Sequence, residues 1–259
     1  MLPRPLIELD GVSKTYAASD GLVHALEGVS LDVPEGQFLS ILGPSGCGKS
    51  TLMLMLAGLL APSAGEIRVG GRPVTRPQTD VGIVFQNPVL LDWRTVLRNV
   101  LLQVEARALD LHEHTRKARQ LLLAVGLEGF EDKYPFELSG GMRQRTAICR
   151  ALIHDPPLLL MDEPFGALDA LTREQMRLDI ERLWLERRKT VVFITHSIPE
   201  AVLLSDRVVV MSPRPGRVDG ILDIDLPRPR RLEVQESPRF GGYLKAITDL
   251  FRARGVLRY

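Results

Sequence analysis

The stretch Gly43-Pro44-Ser45-Gly46-Cys47-Gly48-Lys49-Ser50 fits the pattern G-x-x-x-x-G-K-[ST]. It follows an apolar β-type run, Gln37–Leu42, and precedes a helical run, Thr51–Ala57. That order gives the spacing a chemical meaning. Glycines let the backbone fold into a nest of N–H groups that point at phosphate oxygens, and the following helix offers its positive end to the same anion. Lys49 is placed to reach β- and γ-phosphates, and the Ser50 hydroxyl to bind Mg²⁺. The candidate nucleotide-binding residues are therefore Gly43, Pro44, Ser45, Gly46, Cys47, Gly48, Lys49, Ser50 and Thr51. A glycine-rich turn that binds nothing is the competing reading, and the flanking strand and helix argue against it. Cys47 reads as a small tolerated residue, whose place beside phosphate predicts that thiol reagents block nucleotide binding.

Around this loop, short β-type runs alternate with helical stretches, as in an α/β fold. Strands are expected at Gln37–Leu42, Glu66–Val69, Val81–Phe85, Leu158–Met161, Thr190–Ile194 and Arg207–Met211. Leu158–Met161 and Val191–Ile194 are apolar without alternation, as central strands covered on both faces are. Between about Pro88 and Pro157 the strand signal gives way to helical patterns at Val96–Leu109, Thr115–Val125 and Ser139–Ile153. We read this as a helical subdomain inserted into the α/β core.

Composition sets the outer limits. A chain of 259 residues makes one large domain, or one domain with a subdomain. With 33 basic and 32 acidic side chains the net charge is +1, which argues against a general nucleic-acid binder. Two cysteines, Cys47 and Cys149, make no disulfide framework and fit a reducing cytosol. The longest nearly unbroken apolar run, Leu52 to Ala61, is far short of the ~20 residues that span a bilayer. The start, MLPRPLIELDG, has no apolar signal-peptide core. The expectation is a chain that is neither secreted nor membrane-spanning.

The Gly43–Ser50 loop, a Walker A motif, says only that a nucleoside triphosphate binds. A second half is expected at Leu158-Leu159-Leu160-Met161-Asp162-Glu163. An apolar strand ending in two acids puts Asp162 at the carboxyl edge of the sheet, where ligands of open α/β sheets bind. Asp162 is then the expected Mg²⁺ partner, acting through water or through a group that itself binds the ion, and Glu163 the general base that polarises the attacking water. Alone, two acids could merely end a strand and cap the next segment.

The family signal is Leu138-Ser139-Gly140-Gly141-Met142-Arg143-Gln144-Arg145. Physically, Ser139 can cap a helix, Gly140 and Gly141 permit close backbone approach, and the helix aims its positive end outward. The run resembles the signature of ABC transporter ATPases. That resemblance implies an α/β P-loop NTPase core with a mostly parallel sheet, an antiparallel β subdomain and the inserted helical subdomain. It implies ATP and Mg²⁺ as cofactors, and a homodimer in which Ser139, Gly140, Gly141 and Gln144 meet the ATP held by the other subunit. It also implies roles for Gln86 at Mg²⁺ and water, Asp169 in a D-loop Ala167-Leu168-Asp169, His196 as the switch at the γ-phosphate, and Tyr16 stacked on adenine. Singly, a glutamine or histidine is usually structural, and Tyr16 could equally be a core or surface tyrosine. Ser197 and Glu200 form a candidate capping box just after His196.

The subtype resembles the nitrate/sulfonate/taurine-type importer ATPases, through Phe85-Gln86-Asn87-Pro88, Pro135-Phe136-Glu137, Asp162-Glu163-Pro164-Phe165-Gly166-Ala167-Leu168-Asp169 and Ser212-Pro213-Arg214-Pro215-Gly216. One departure is Ser197 after the histidine, where an acid is common. The resemblance implies an ATPase domain over residues 5–235, with the helical insertion at about 88–157, and a short helical tail over 236–259. It further implies an integral-membrane permease, an extracytoplasmic solute-binding protein, and a peripheral place on the cytoplasmic face of the inner membrane. An exporter ATPase, or a soluble ABC ATPase acting on nucleic acid, is the alternative. Apolar residues at Pro88, Leu90, Leu91 and Trp93 suit a permease contact, or else the core. From Ser212 onward ten Arg/Lys face six Asp/Glu. The tail reads as a solvated, proline-broken segment with a short final helix, or as a basic patch near anionic lipid or a partner.

Overall fold

The computed structural model describes residues 5–19, 21–166 and 168–256. In chain order the elements are β1 (Pro5–Ala18), β2 (Gly21–Pro34), β3 (Phe38–Leu42), α1 (Lys49–Leu56), β4 (Ala64–Val69), β5 (Arg72–Pro73) and β6 (Val81–Val84). There follow α2 (Val96–Val100), α3 (Leu102–Ala106), α4 (Leu111–Ala124), α5 (Gly140–Leu152), β7 (Leu158–Asp162) and α6 (Ala170–Arg187). The chain closes with β8 (Thr190–Thr195), α7 (Ile198–Leu204), β9 (Arg207–Met211), β10 (Val218–Asp223) and α8 (Pro238–Ala253). The fold divides into two compact units, one of residues 1–79 with 188–259, the other of residues 80–187.

The first unit holds the phosphate-loop stretch. Its β3 runs parallel to both β8 and β9, while β10 closes on β9 antiparallel. All five residues of β3 and all six of β8 are buried, as strands covered on both faces must be. A separate antiparallel sheet has the order β2-β1-β4-β5. Strands β1 and β2 escape a period-two reading of the sequence because their register shifts repeatedly between Pro5 and Thr15. Each bulge inserts a residue and flips the alternation that would reveal a strand.

The tail belongs to the core, which corrects the solvated reading. Leu42, Val202, Val208, Val210, Ile224, Leu226, Phe240, Ile247 and Phe251 form one buried cluster. Phe240, Ile247 and Phe251 recur at helical spacing and line one face of α8. This helix has 16 residues, longer than the short one expected, and it starts at Pro238. Proline at the first helical position gives up no hydrogen bond, and Ser237 caps the turn by accepting the Phe240 N–H at 3.2 Å. Arg230, almost fully buried, donates to the carbonyls of Val202 (2.9 Å), Leu203 (3.2 Å) and Ser205 (2.6 Å) at the end of α7, and to Ile224 and Leu226.

The second unit pairs β6 and β7 in parallel and packs its helices around Val96, Val100, Val104, Ala118, Leu122, Leu138, Cys149 and Ile153. Burial among these side chains pushes the Cys149 thiol up to about 12, so it stays protonated at neutral pH. The helix expected over Val96–Leu109 is divided at Leu101 and ends at Ala106, two residues before Ala108, whose φ is 52°. Helix α4 starts four residues before the expected Thr115, because the Asp110 carboxylate accepts the Glu113 N–H at 2.9 Å and caps it. Helix α6 is not legible in the sequence: it buries Arg177, Asp179 and Glu181, so no clean apolar face marks it.

If α8 is part of the core, Ile247→Ala should lower unfolding stability by about 2–5 kcal/mol. Urea denaturation of the purified chain measures this, and a change near zero would place α8 outside the cooperative fold.

Candidate functional site

In the first unit the loop between β3 and α1 leaves no room for a side chain at Gly43 or Gly48. Gly48 caps α1 with a left-handed φ of 96°. A Cβ there would meet Leu26 Cδ2 at 2.7 Å and the Ala25 carbonyl oxygen at 2.8 Å, so β2 walls the loop. Gly46 is also left-handed, at φ 77°. Lys49 is buried, and its ammonium donates to the carbonyl oxygens of Gly43 (2.9 Å) and Pro44 (3.0 Å). Ser45, Gly46 and Ser50 are exposed, Pro44, Gly48 and Thr51 half-buried, and Cys47 buried. The burial of Cys47 limits attack by thiol reagents on the folded chain, against the sequence expectation.

Tyr16 and His196 belong to the same unit. The Tyr16 hydroxyl lies 3.3 Å from Thr51 Oγ1, which ties β1 to the first turn of α1. Lys14 Nζ sits 5.3 Å from the Tyr16 ring centroid, and the ring is partly exposed. His196 is exposed immediately after β8. One arm of the expected capping box forms, with Ser197 Oγ accepting the Glu200 N–H at 3.4 Å. The other arm runs through Thr195, whose Oγ1 accepts the Ser197 N–H at 3.0 Å and donates to the Glu200 carboxylate at 2.6 Å. Thr195 escapes notice in the sequence because it stands there as the last residue of a strand.

In the second unit β7 ends on buried Asp162, and Glu163 follows with φ 43°, left-handed for a residue with a full side chain. Such a conformation costs of order 1–3 kcal/mol and gathers at functional sites. Gln86, exposed after β6, donates from Nε2 to Glu163 Oε2 at 3.2 Å. The structure thus brings two residues 77 positions apart into one polar pair.

The signature stretch behaves unevenly. Ser139 caps α5, accepting the Met142 N–H at 3.3 Å. Nothing lies within 4 Å of a Cβ on Gly140, whereas one on Gly141 would meet Thr172 Cγ2 at 2.6 Å. Only the second glycine serves packing within the unit. Gln144 is buried and donates to the Phe85 carbonyl at 3.3 Å, away from the open face at Gly140. Ala167 lies outside the described residues, while Asp169 is exposed and caps α6 by accepting the Thr172 N–H at 3.0 Å. Hydrogen bonds from Thr172, the hydroxyl first, hold the Asp169 carboxyl below the usual carboxylate range. Thr172 therefore touches both the glycine of one motif and the acid of the other.

The segment 88–95 folds around one buried amide. Asn99 Oδ1 accepts the Leu91 N–H at 2.8 Å, and its Nδ2 donates to the carbonyls of Leu91 (3.1 Å) and Arg94 (2.9 Å). Pro88, Leu90 and Leu91 are half-buried, but Trp93 is 75 % exposed and Val89 58 % exposed. Among the described residues no group of three or more His, Cys, Asp or Glu could hold a metal ion. Taken one by one, the Ser50 hydroxyl in the first unit, and the Gln86 amide oxygen and Asp162 carboxylate in the second, offer hard oxygen donors, the type that suits Mg²⁺.

Three substitutions test this geometry. Gly141→Ala should cost about 1–3 kcal/mol through the clash with Thr172, whereas Gly140→Ala, at the open first position of α5, should be neutral or stabilising, with chemical denaturation of both variants as the measurement. Because its folded value is depressed, the Asp169 carboxylate stabilises above the unfolded value of about 3.9 and loses that effect as pH falls through the folded value. Asp169→Asn should therefore be less stable than the parent at pH 7, with the gap closing in acid; a gap independent of pH would contradict the capping role.

The family model described as ABC transporter matches residues 26–166. A taurine import ATP-binding protein of Rhizobium johnstonii is 50% identical, over 98% of this chain and 99% of its own length. A nitrate import ATP-binding protein of Synechococcus elongatus is 49% identical, over 85% of this chain and 34% of its own length. Among solved structures, the dimeric structure of a post-hydrolysis state of an ATP-binding cassette bound to ADP and Pi has a TM-score of 0.76 and 34% identity, covering 85% of this chain and 100% of that one. The α/β fold of the present chain is that of the ABC ATPase cassettes. The chain belongs to the ABC transporter family, as an ATP-binding and ATP-hydrolysing subunit.

Proposed function

We propose that this subunit powers an importer: two copies close head to tail around two ATP molecules, and hydrolysis drives uptake of a small solute through a partner permease. The solute class is taurine, another sulfonate, nitrate or a related compound, delivered by an extracytoplasmic solute-binding protein. The observation that carries this reading is the end-to-end likeness to the taurine import ATP-binding protein. The likeness to the nitrate import protein and the dimeric cassette supports it. The subunit would sit peripherally on the cytoplasmic face of the inner membrane; among the described residues no helix is long and apolar enough to cross one. Residues 5–235 would form the ATPase domain with the helical insertion at about 88–157, followed by the helical tail at 236–259. Exposed Trp93 would meet the permease.

In this reading residues 43–51 hold the triphosphate, with Lys49 on the β- and γ-phosphates and Tyr16 on adenine. Ser50, Gln86 and Asp162 would hold Mg²⁺. The chemistry that ion supplies when bound is neutralisation of charge on the phosphate oxygens. Glu163 takes a proton from the attacking water, held in place by the Gln86 amide, and His196 orients it at the γ-phosphate. Ser139, Gly140 and Gly141, with Gln144 behind them, face the ATP of the other copy, and Asp169 links the two sites.

Glu163→Gln should lower ATP turnover by about 10²–10⁴-fold while ATP-dependent dimerisation persists, read by phosphate release and light scattering. Turnover near that of the parent would remove Glu163 from the base role. Affinity purification from native membranes should recover a permease and a solute-binding protein. Recovery of a permease with no binding protein would favour the exporter reading.

A further inference from the structure

The turn between β9 and β10, Ser212-Pro213-Arg214-Pro215-Gly216, is folded directly onto the phosphate loop. Ser212 closes it into a ring: its hydroxyl donates to the carbonyls of Pro213 and Pro215, both at 3.0 Å, and accepts the Arg217 N–H at 2.9 Å. The ring is then bound to β2, the strand that walls the loop. The Gly216 N–H donates to the Ala25 carbonyl and the Gly216 carbonyl accepts the Glu27 N–H, each at 3.0 Å. Leu26 and Gly216 pair as an isolated parallel bridge.

Two contacts reach the loop itself. A Cβ on Gly216 would collide with the carbonyl oxygen of Cys47, the residue just before Gly48 and Lys49. The backbone of Gly216 is not left-handed, so the absence of a side chain serves this close approach and not a turn conformation. Arg214, exposed to solvent, donates from Nε to the Gly46 carbonyl at 3.4 Å. Met211, the last residue of β9, stands where a Cβ on Gly43 would meet it at 2.9 Å. The turn therefore touches the loop at Gly46 and Cys47, and the strand leading into it closes the loop at Gly43.

We propose that the Ser212–Gly216 turn is a buttress that sets the conformation of the phosphate loop, with Gly216 and Arg214 as positioning residues for nucleotide binding. The proposal rests on the reading that residues 43–51 hold the triphosphate. The loop's N–H groups converge on an anion when its peptides are held in one orientation, and the turn binds the carbonyl of Gly46 and packs against that of Cys47. A methyl group at Gly216 displaces the Cys47 carbonyl and with it the peptide that sets Gly48. Loss of the Arg214 guanidinium frees the Gly46 carbonyl at the tip of the loop.

The test is the affinity of the full-length chain for a fluorescent ATP analogue in ~0.5 M salt, where bulk charge effects are screened, with nucleotide-free melting temperature measured alongside. Arg214→Ala should weaken binding about threefold to tenfold, and Gly216→Ala about tenfold or more, with the nucleotide-free melting temperature of Arg214→Ala unchanged. Parent-like affinity in either folded variant overturns the proposal. Should Gly216→Ala fold poorly, Arg214→Ala decides alone, since an exposed side chain is not required for folding. Lys49→Ala separates the buttress from the binding site it serves. If Lys49→Ala binds as the parent does, the phosphate-loop reading itself fails; if it loses binding while the turn variants do not, only the buttress fails.

Discussion

Crowding at Gly48, against the Leu26 side chain and the Ala25 carbonyl, is the constraint on which the first unit depends. The loop between β3 and α1 must turn its peptide N–H groups to one side, and that left-handed step leaves room for no side chain beside Ala25 and Leu26. Lys49 follows from the same geometry. Its stem is buried against the loop, and its ammonium is held by two of the loop's own carbonyls, which keeps a cation desolvated but satisfied. A charge kept this way is available to an anion at little cost of reorganisation, because exchanging carbonyl oxygens for phosphate oxygens preserves its hydrogen bonds.

The second unit solves a different problem, that of bringing distant acids and amides together. Glu163 leaves β7 with a left-handed backbone that residues other than glycine rarely adopt, and the amide of Gln86 meets its carboxylate there. Gln144, from the middle of α5, ties down the carbonyl of the residue before Gln86. The signature helix thus supports the strand end that carries a candidate catalytic group, besides presenting its own start. Thr172 plays the corresponding part on the other side, between Gly141 and Asp169.

Much of this is legible in the sequence because local rules suffice for it. The strands at Phe38–Leu42, Leu158–Asp162 and Arg207–Met211 are apolar at four of five positions each, and Ser139 is a cap that its own neighbours explain. The phosphate loop announces itself by glycine spacing. The hidden features depend on partners far along the chain. The bulges of β1 and β2 break the alternation that a strand needs in order to be seen, and α6 buries Arg177, Asp179 and Glu181, so polar residues stand among those that pack. Gly216 reads as an ordinary Pro-Gly turn until Cys47, 169 residues earlier, is found beneath it. The position of Gln144 is also beyond sequence reading: the motif says that it is there, not that it points inward.

Arg230 gives the tail an obligation of its own. Its guanidinium is the donor for carbonyls at the end of α7, and α7 begins two residues after His196. The chain from β9 to Arg230 is therefore a strap of fixed length, drawn back over the helix that the histidine precedes. The end of α8 is anchored too, with Val256 packed on the core cluster and Arg254 paired with Asp219 at 2.7 Å, so an additional module has to leave both in place. Spliced in ahead of Arg230, the same module would pull the strap off its anchorage and leave a helix end buried without donors.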